Sequence, residues 1–151
     1  MALSSEPITV RLITEDDVDL VVRIARKFAG NDVPKEHVLR FLQHAANLLF
    51  VAFAEGDLVG FLTAHRLDRF KDLRKQIFVY EIDVAAEWRG RGIGRKLMNA
   101  VLETARLENT DEVFVLTNHS NVAARRLYES AGGIVENGDD LMYVFRSKRA
   151  G

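Results

Sequence analysis

The sequence predicts an α/β (α+β) domain with a central mixed, mostly antiparallel sheet flanked by helices, in the order β-α-α-β-β-β-α-β-α-β-β. Three observations carry this expectation. Short apolar runs rich in β-branched residues alternate with stretches whose apolar residues recur every three or four positions. Two turn signals, Glu55-Gly56-Asp57 and Asn137-Gly138-Asp139-Asp140, each join a pair of runs into a hairpin. The 151 residues read as one domain, 1–151, with enough chain to bury a core and no repeat, linker or low-complexity tract.

In chain order, Ile8 to Ile13 alternates as a first strand, and Thr14 before Glu15, Asp16 and Asp17 reads as a helix cap. That helix turns Val18, Val21, Val22, Ala25 and Phe28 inward and stops near Gly30. Pro34 opens a second helix through Val38, Leu39, Phe41 and Leu42. Leu48 to Ala54 and Leu58 to Ala64 form the first hairpin, and the charged stretch from His65 to Gln76 reads as a solvated connection. Ile77 to Val84 is a strand, followed by a helix whose buried face carries Ile93, Leu97, Ala100, Val101 and Ala105. Glu112 to Thr117 is a further strand, and the next helix ends at Gly132-Gly133. Ile134 to Glu136 and Leu141 to Arg146 make the closing hairpin.

Composition narrows the function. A net charge of −1 gives no basic field, so nucleic acid is not an expected partner. With no cysteine, disulfides, thiol nucleophiles and cysteine metal sites are excluded. His37, His44, His65 and His119 form no metal-ligand spacing, so no metal is expected. No apolar run approaches the roughly 18 residues of a membrane span, and Met1 to Glu6 has neither a basic nor an apolar leader region, so a cytoplasmic protein is expected.

The most informative stretch joins the Ile77–Val84 strand to the helix after it. Arg89, Gly90, Arg91, Gly92, Ile93 and Gly94 stand where that helix begins. The first helical turn has N–H groups without intrahelical partners and carries the positive end of the macrodipole. Glycine lets an anion approach those groups, and Arg89, Arg91 and Arg95 add charge and forked donors, so the turn predicts a phosphate cradle. It is not an ATP-type loop, because Arg95 and Lys96 stand where Lys-Ser/Thr would follow Gly94. Nor does it complete a dinucleotide fingerprint, since Arg95 holds the third glycine's place.

Arg89 to Gly94 resembles the Q/R-x-x-G-x-G/A acetyl-CoA motif of the GNAT superfamily of N-acetyltransferases. Asn121-Val122-Ala123-Ala124-Arg125-Arg126-Leu127-Tyr128-Glu129-Ser130-Ala131-Gly132 is similar to that family's N-x-x-A-x-x-x-Y-x-x-x-G pattern. The resemblance spans nearly the whole chain and implies the GNAT fold, with the element order given above. It also implies acetyl-CoA as cofactor and direct attack by the acceptor amine. On the same basis the backbone of Ile82 and Val84 meets the pantetheine arm and the acetyl oxygen, while the backbone from Arg89 to Arg95 (Gly90, Arg91, Gly92, Ile93 and Gly94 between them) holds the pyrophosphate. Asn121 touches the pantetheine, and Tyr128 returns a proton to the departing thiolate. Relatives are often homodimers. Gly133 departs from the phenylalanine that many relatives carry after the final motif glycine.

Amine acetylation needs a neutral amine. Deprotonating a lysine-like amine at neutral pH costs about 4 kcal/mol, at about 1.4 kcal/mol per pKa unit. A carboxylate base offsets this, and Glu81 and Asp83, two apart on one strand, share a face. Two outcomes are open: this face lines the cleft, making one carboxylate the base and the other an attractor of cations, or it packs under a helix and leaves Tyr80, Ile82 and Val84 to line the cleft.

Tyr80 to Ala85, with Ala64-His65-Arg66-Leu67 and Arg69-Phe70 before it, also resembles the aminoglycoside 3-N-acetyltransferases, although Asp83 stands where some of those enzymes have a small residue. A polycationic small-molecule acceptor is therefore expected, met by Glu81 and Asp83, by Asp140 with Glu136 and Asp139 if these reach the cleft, and by His119 near the thioester. A protein or peptide N-acetyltransferase and a noncatalytic acyl-CoA-binding module are the alternatives.

Overall fold

A computed structural model describes residues 7–147 and 149. The leader reading on Met1 to Glu6 therefore lies outside the described residues. Strand β1 (Thr9–Leu12) leads through a short 3-10 turn to helix α1 (Val18–Ala29), followed by α2 (Lys35–Gln43), β2 (Asn47–Ala54), β3 (Asp57–Asp68) and β4 (Lys75–Val84). A 3-10 turn at Ala86–Trp88 precedes α3 (Ile93–Leu107), and β5 (Glu112–Val115) and α4 (Val122–Ser130) follow. The sheet order is β1-β2-β3-β4-β5. The first four strands pair antiparallel, and β5 runs parallel to β4.

Both faces of this sheet are covered, which explains why β2 is an almost unbroken apolar run. Leu48, Phe50 and Ala52 of β2 join Leu62, Ala64, Ile77 and Val79 in a core under α3, with Ile93, Leu97, Met98 and Val101. Leu49 and Val51 face the other way, against Ile13, Ile24, Leu58 and Phe61 under α1 and α2. In α1 the stripe packed here runs through Leu20, Val21, Ile24 and Phe28, so of the expected face Val21 and Phe28 lie in it, while Leu20 and Ile24 take the places expected of Val18, Val22 and Ala25.

β3 and β4 are longer than the sequence suggests. Half of the stretch expected as a connection is strand, with His65 opposite Phe78 and Asp68 opposite Lys75. Arg66 anchors this extension by a two-pronged ion pair to Glu108 at the end of α3, its Nε donating at 2.9 Å. The guanidinium holds the Glu108 carboxyl below its ordinary range.

The expected closing hairpin is not part of the sheet. Its turn forms, with Asn137 Nδ2 donating to Asp140 Oδ1 and Asp139 N–H donating to Asn137 Oδ1, but residues 134–136 and 141–146 carry no strand. Ile134, Leu141, Tyr143 and Phe145 are exposed. A hairpin without a third strand or a helix to cover it is marginal in water, so turn chemistry alone does not build the arms.

Gly60 sets how closely α3 approaches the end of β4. A Cβ there would lie 3.0 Å from the Asp83 carbonyl oxygen and 3.3 Å from both Ile93 Cγ2 and Leu97 Cδ1. Gly60→Ala is expected to destabilise the protein by roughly 1–3 kcal/mol through overpacking, read as a lower urea midpoint with unchanged slope.

Candidate active site

β4 changes phase partway along. Ile77 and Val79 point into the core under α3, yet so do Ile82 and Val84, which lie opposite Leu62 and Gly60. Strict alternation cannot put both pairs on one face. The register shifts between Thr63 and Ala64, whose partners are Glu81 and Val79, so Tyr80 is left without a partner. This β-bulge turns Glu81 and Asp83 onto the α1/α2 face, opposite Thr63 and Phe61.

On that face Thr63, 9% exposed, donates from Oγ1 to Glu81 Oε2 at 3.3 Å. Asp83 is more constrained. Its Oδ1 accepts the Val84 N–H at 2.8 Å and faces Arg89 Nη2 at 3.4 Å. Arg89 Nε also donates to the Val84 carbonyl at 3.1 Å, so Arg89 folds back onto β4. Of the two carboxylates, Glu81 keeps more of its acceptor capacity.

β4 also outruns its neighbour. β5 pairs only with Gln76 to Val79, so from Tyr80 to Val84 that side of β4 carries no strand among the described residues. Ala85 N–H donates across to the Val59 carbonyl of β3 at 2.8 Å. Strand alternation then points the Asp83 and Glu81 N–H groups toward β3, and those of Ile82 and Val84 toward the open side.

The glycine turn follows directly. Gly90 and Gly92 adopt left-handed φ of 76° and 81°, and Gly92 is the N-cap of α3 with no side-chain cap. Lys96 N–H makes the first intrahelical bond, to the Gly92 carbonyl, which leaves the N–H groups of Ile93, Gly94 and Arg95 without an intrahelical acceptor. Among the described residues, chain neighbours apart, none lies within 4 Å of where a Cβ on Gly90 or Gly92 would sit, so an anion has open access to this turn. Arg91 lies over the Trp88 ring, 4.6 Å from its centroid, and among the described residues neither Arg91 nor Arg95 has an ion-pair partner. Backbone donors, dipole and unpaired guanidinium groups together fit a diphosphate. Gly94 has a different reason to be glycine: its Cβ would stand 3.1 Å from Leu127 Cδ2, where α4 crosses α3.

In α4, the Asn121 side chain caps the helix, its Oδ1 accepting from Ala124 N–H at 3.1 Å. Tyr128 packs half-buried against the α3 core, and burial pushes its hydroxyl pKa up, so it stays protonated through the neutral range. His119 is exposed in the loop before α4, with its carbonyl accepting from Arg125. Asp140 is bonded within its own turn. Thr63 and the contacts of Tyr80 with Phe78 and His65 are not among the features expected of the site from the sequence. The phase change between Val79 and Ile82 was a signal for the first of these.

Residues 18–133 match the Acetyltransferase (GNAT) family. The chain is 31% identical over 134 residues to the N-alpha-acetyltransferase RimI of Mycobacterium tuberculosis, covering 87% of this chain and 82% of that protein. It shares its architecture with an aminoglycoside acetyltransferase from an uncultured soil metagenomic sample, with a TM-score of 0.84, 23% identity and coverage of 94% and 99% of the two chains. A second such enzyme, solved in complex with sisomicin, superposes with a TM-score of 0.82, 22% identity and coverage of 93% and 97%.

A side chain at Gly92 would have to hold a left-handed φ. Gly92→Ala is expected to cost roughly 1 kcal/mol in stability and to raise the KM for acetyl-CoA several-fold with a smaller change in kcat, as measured by thermal unfolding and steady-state kinetics.

Proposed function

We propose an acceptor and a division of roles for a chain that belongs to the acetyltransferase (GNAT) family. It transfers the acetyl group of acetyl-CoA to an amine, and the acceptor is a polycationic small molecule, an aminoglycoside acetylated on its 3-amino group by direct attack. The observation that carries this reading is the bulge in β4, which takes Glu81 and Asp83 out of the core and sets two carboxylates beside an open strand edge.

Glu81 accepts the proton of the incoming ammonium group, with Thr63 orienting its carboxylate. Asp83, held by Arg89 and the Val84 N–H, contributes negative charge that draws the cation in. The open-side N–H of Ile82 donates to the acyl oxygen as charge builds there, an oxyanion-hole role, while the Val84 N–H stays with Asp83 Oδ1. The first-turn N–H groups of Ile93, Gly94 and Arg95, with Arg91 and Arg95, hold the diphosphate. Acetyl-CoA supplies the thioester, and Tyr128, kept protonated by burial, gives its proton to the leaving sulfur. The sisomicin complex of an architecturally similar enzyme supports this acceptor class.

A second reading has its own support. The 31% identity to an N-alpha-acetyltransferase over most of both chains favours the α-amine of a polypeptide. Free-thiol release from acetyl-CoA, with mass spectrometry of the product, separates the two. Aminoglycosides acetylated at the 3-amino group meet the proposal; turnover confined to peptide N-termini overturns it in favour of the second reading.

Two substitutions test the roles. Glu81→Gln is expected to lower kcat by ~10²-fold or more, while Tyr128→Phe lowers kcat with little change in either KM. A Glu81→Gln enzyme with wild-type kcat would exclude Glu81 as the base.

A further inference from the structure

The mechanism above leaves Tyr80 unused, yet this residue is the one the bulge sets beside Glu81 on the α1/α2 face. Tyr80 is 63% exposed, although it has two aromatic neighbours. The Phe78 ring lies 5.8 Å from it at 67°, and the His65 ring 5.8 Å away at 57°. Neither neighbour stacks parallel on it, and the 63% exposure leaves the ring accessible to solvent.

The ring is held in place from behind. Phe78 stacks on Phe114 of β5 at 4.9 Å and 11°. His65 Nδ1 bonds to Asn47 Oδ1 at 2.8 Å, while Asn47 Nδ2 donates to the Phe41 carbonyl at 3.0 Å. Because Asn47 spends its amide on Phe41, its oxygen faces His65, which fixes the histidine with its proton on Nδ1. A solvated loop residue would need no such support. An exposed aromatic ring propped from two strands, with Glu81 as its chain neighbour and Asp83 further along the same strand, is suited to a cation: the ring face is electron-rich, and the carboxylates add negative potential.

We propose that Tyr80 is a specificity-determining residue of the acceptor site, its ring holding a second ammonium group of a polycationic acceptor while Glu81 receives the reacting amine. The inference rests on the polycationic reading of the acceptor and adds what that reading lacks, a reason for one amine to be presented rather than another. Charge complementarity selects the occupant. An apolar peptide side chain would gain contact with the ring but would place nothing against Asp83 and Glu81.

The test is calorimetric titration of the protein saturated with coenzyme A, with sisomicin as probe, comparing wild type, Tyr80→Phe and Tyr80→Leu. Leucine keeps apolar area but has no ring, and an exposed position leaves folding unaffected, as a melting curve of each variant would verify. The dissociation constant for sisomicin is expected to rise roughly 3- to 30-fold in Tyr80→Leu and to stay near wild type in Tyr80→Phe, with the affinity for coenzyme A unchanged in both. Wild-type affinity in Tyr80→Leu overturns the role of the ring, and an equal loss in Tyr80→Phe transfers that role to the hydroxyl. Absence of sisomicin binding by the wild-type protein overturns both this inference and the acceptor reading, whereas binding without acetylation overturns the acceptor reading alone.

Discussion

A pleated strand that buries one face must keep a period of two, and β4 obeys that rule twice with one slip between. Its first half is fixed by Ile77 and Val79 against α3, and its second half by Ile82 and Val84 against the same helix. The unpaired Tyr80 reconciles the two halves. Without it, Glu81 and Asp83 would enter the core under α3, where an uncompensated carboxylate is costly enough to lose its charge or unfold the domain. The slip therefore meets a packing need and leaves both carboxylates on the α1/α2 face.

The other parts of the site depend on β4 ending where it does. α3 can start against the strand's last residues because Gly60 leaves room for Ile93 and Leu97, and α4 can cross α3 because Gly94 leaves room for Leu127. Arg89 clasps the end of β4 through Asp83 and the Val84 carbonyl, so the strand end and the glycine turn form one unit. Three glycines in this unit serve three ends: close strand-helix approach at Gly60, a left-handed turn at Gly92 and helix crossing at Gly94.

Much of this was legible in the residues. The glycine turn that starts α3, the α3 face through Ile93, Leu97, Val101 and Ala105, and the shared face of Glu81 and Asp83 all follow from local period and composition. The choice of face for those carboxylates was not legible from spacing two alone, because it depends on which side α3 covers. The pattern Val79-Tyr80-Glu81-Ile82 encodes the slip, but only once the core is known to lie on one side. The aromatic surroundings of Tyr80 are assembled from β3, β4 and β5, with Asn47 of β2 holding His65, and have no local signature. The closing hairpin failed for the opposite reason: its turn residues are strong local signals, and they formed the turn, while the arms needed tertiary partners that local chemistry does not supply.

The central claim is that the open side of β4 at Ile82 and Val84, continuous with the first turn of α3, receives the acyl-CoA. Residue-resolved amide hydrogen exchange of the wild-type protein, with and without saturating coenzyme A, tests it most directly. The account predicts slowed exchange at Ile82 together with Ile93, Gly94 and Arg95, and no change in β1. Bound coenzyme A that leaves the Ile82 amide exchanging as before would contradict it.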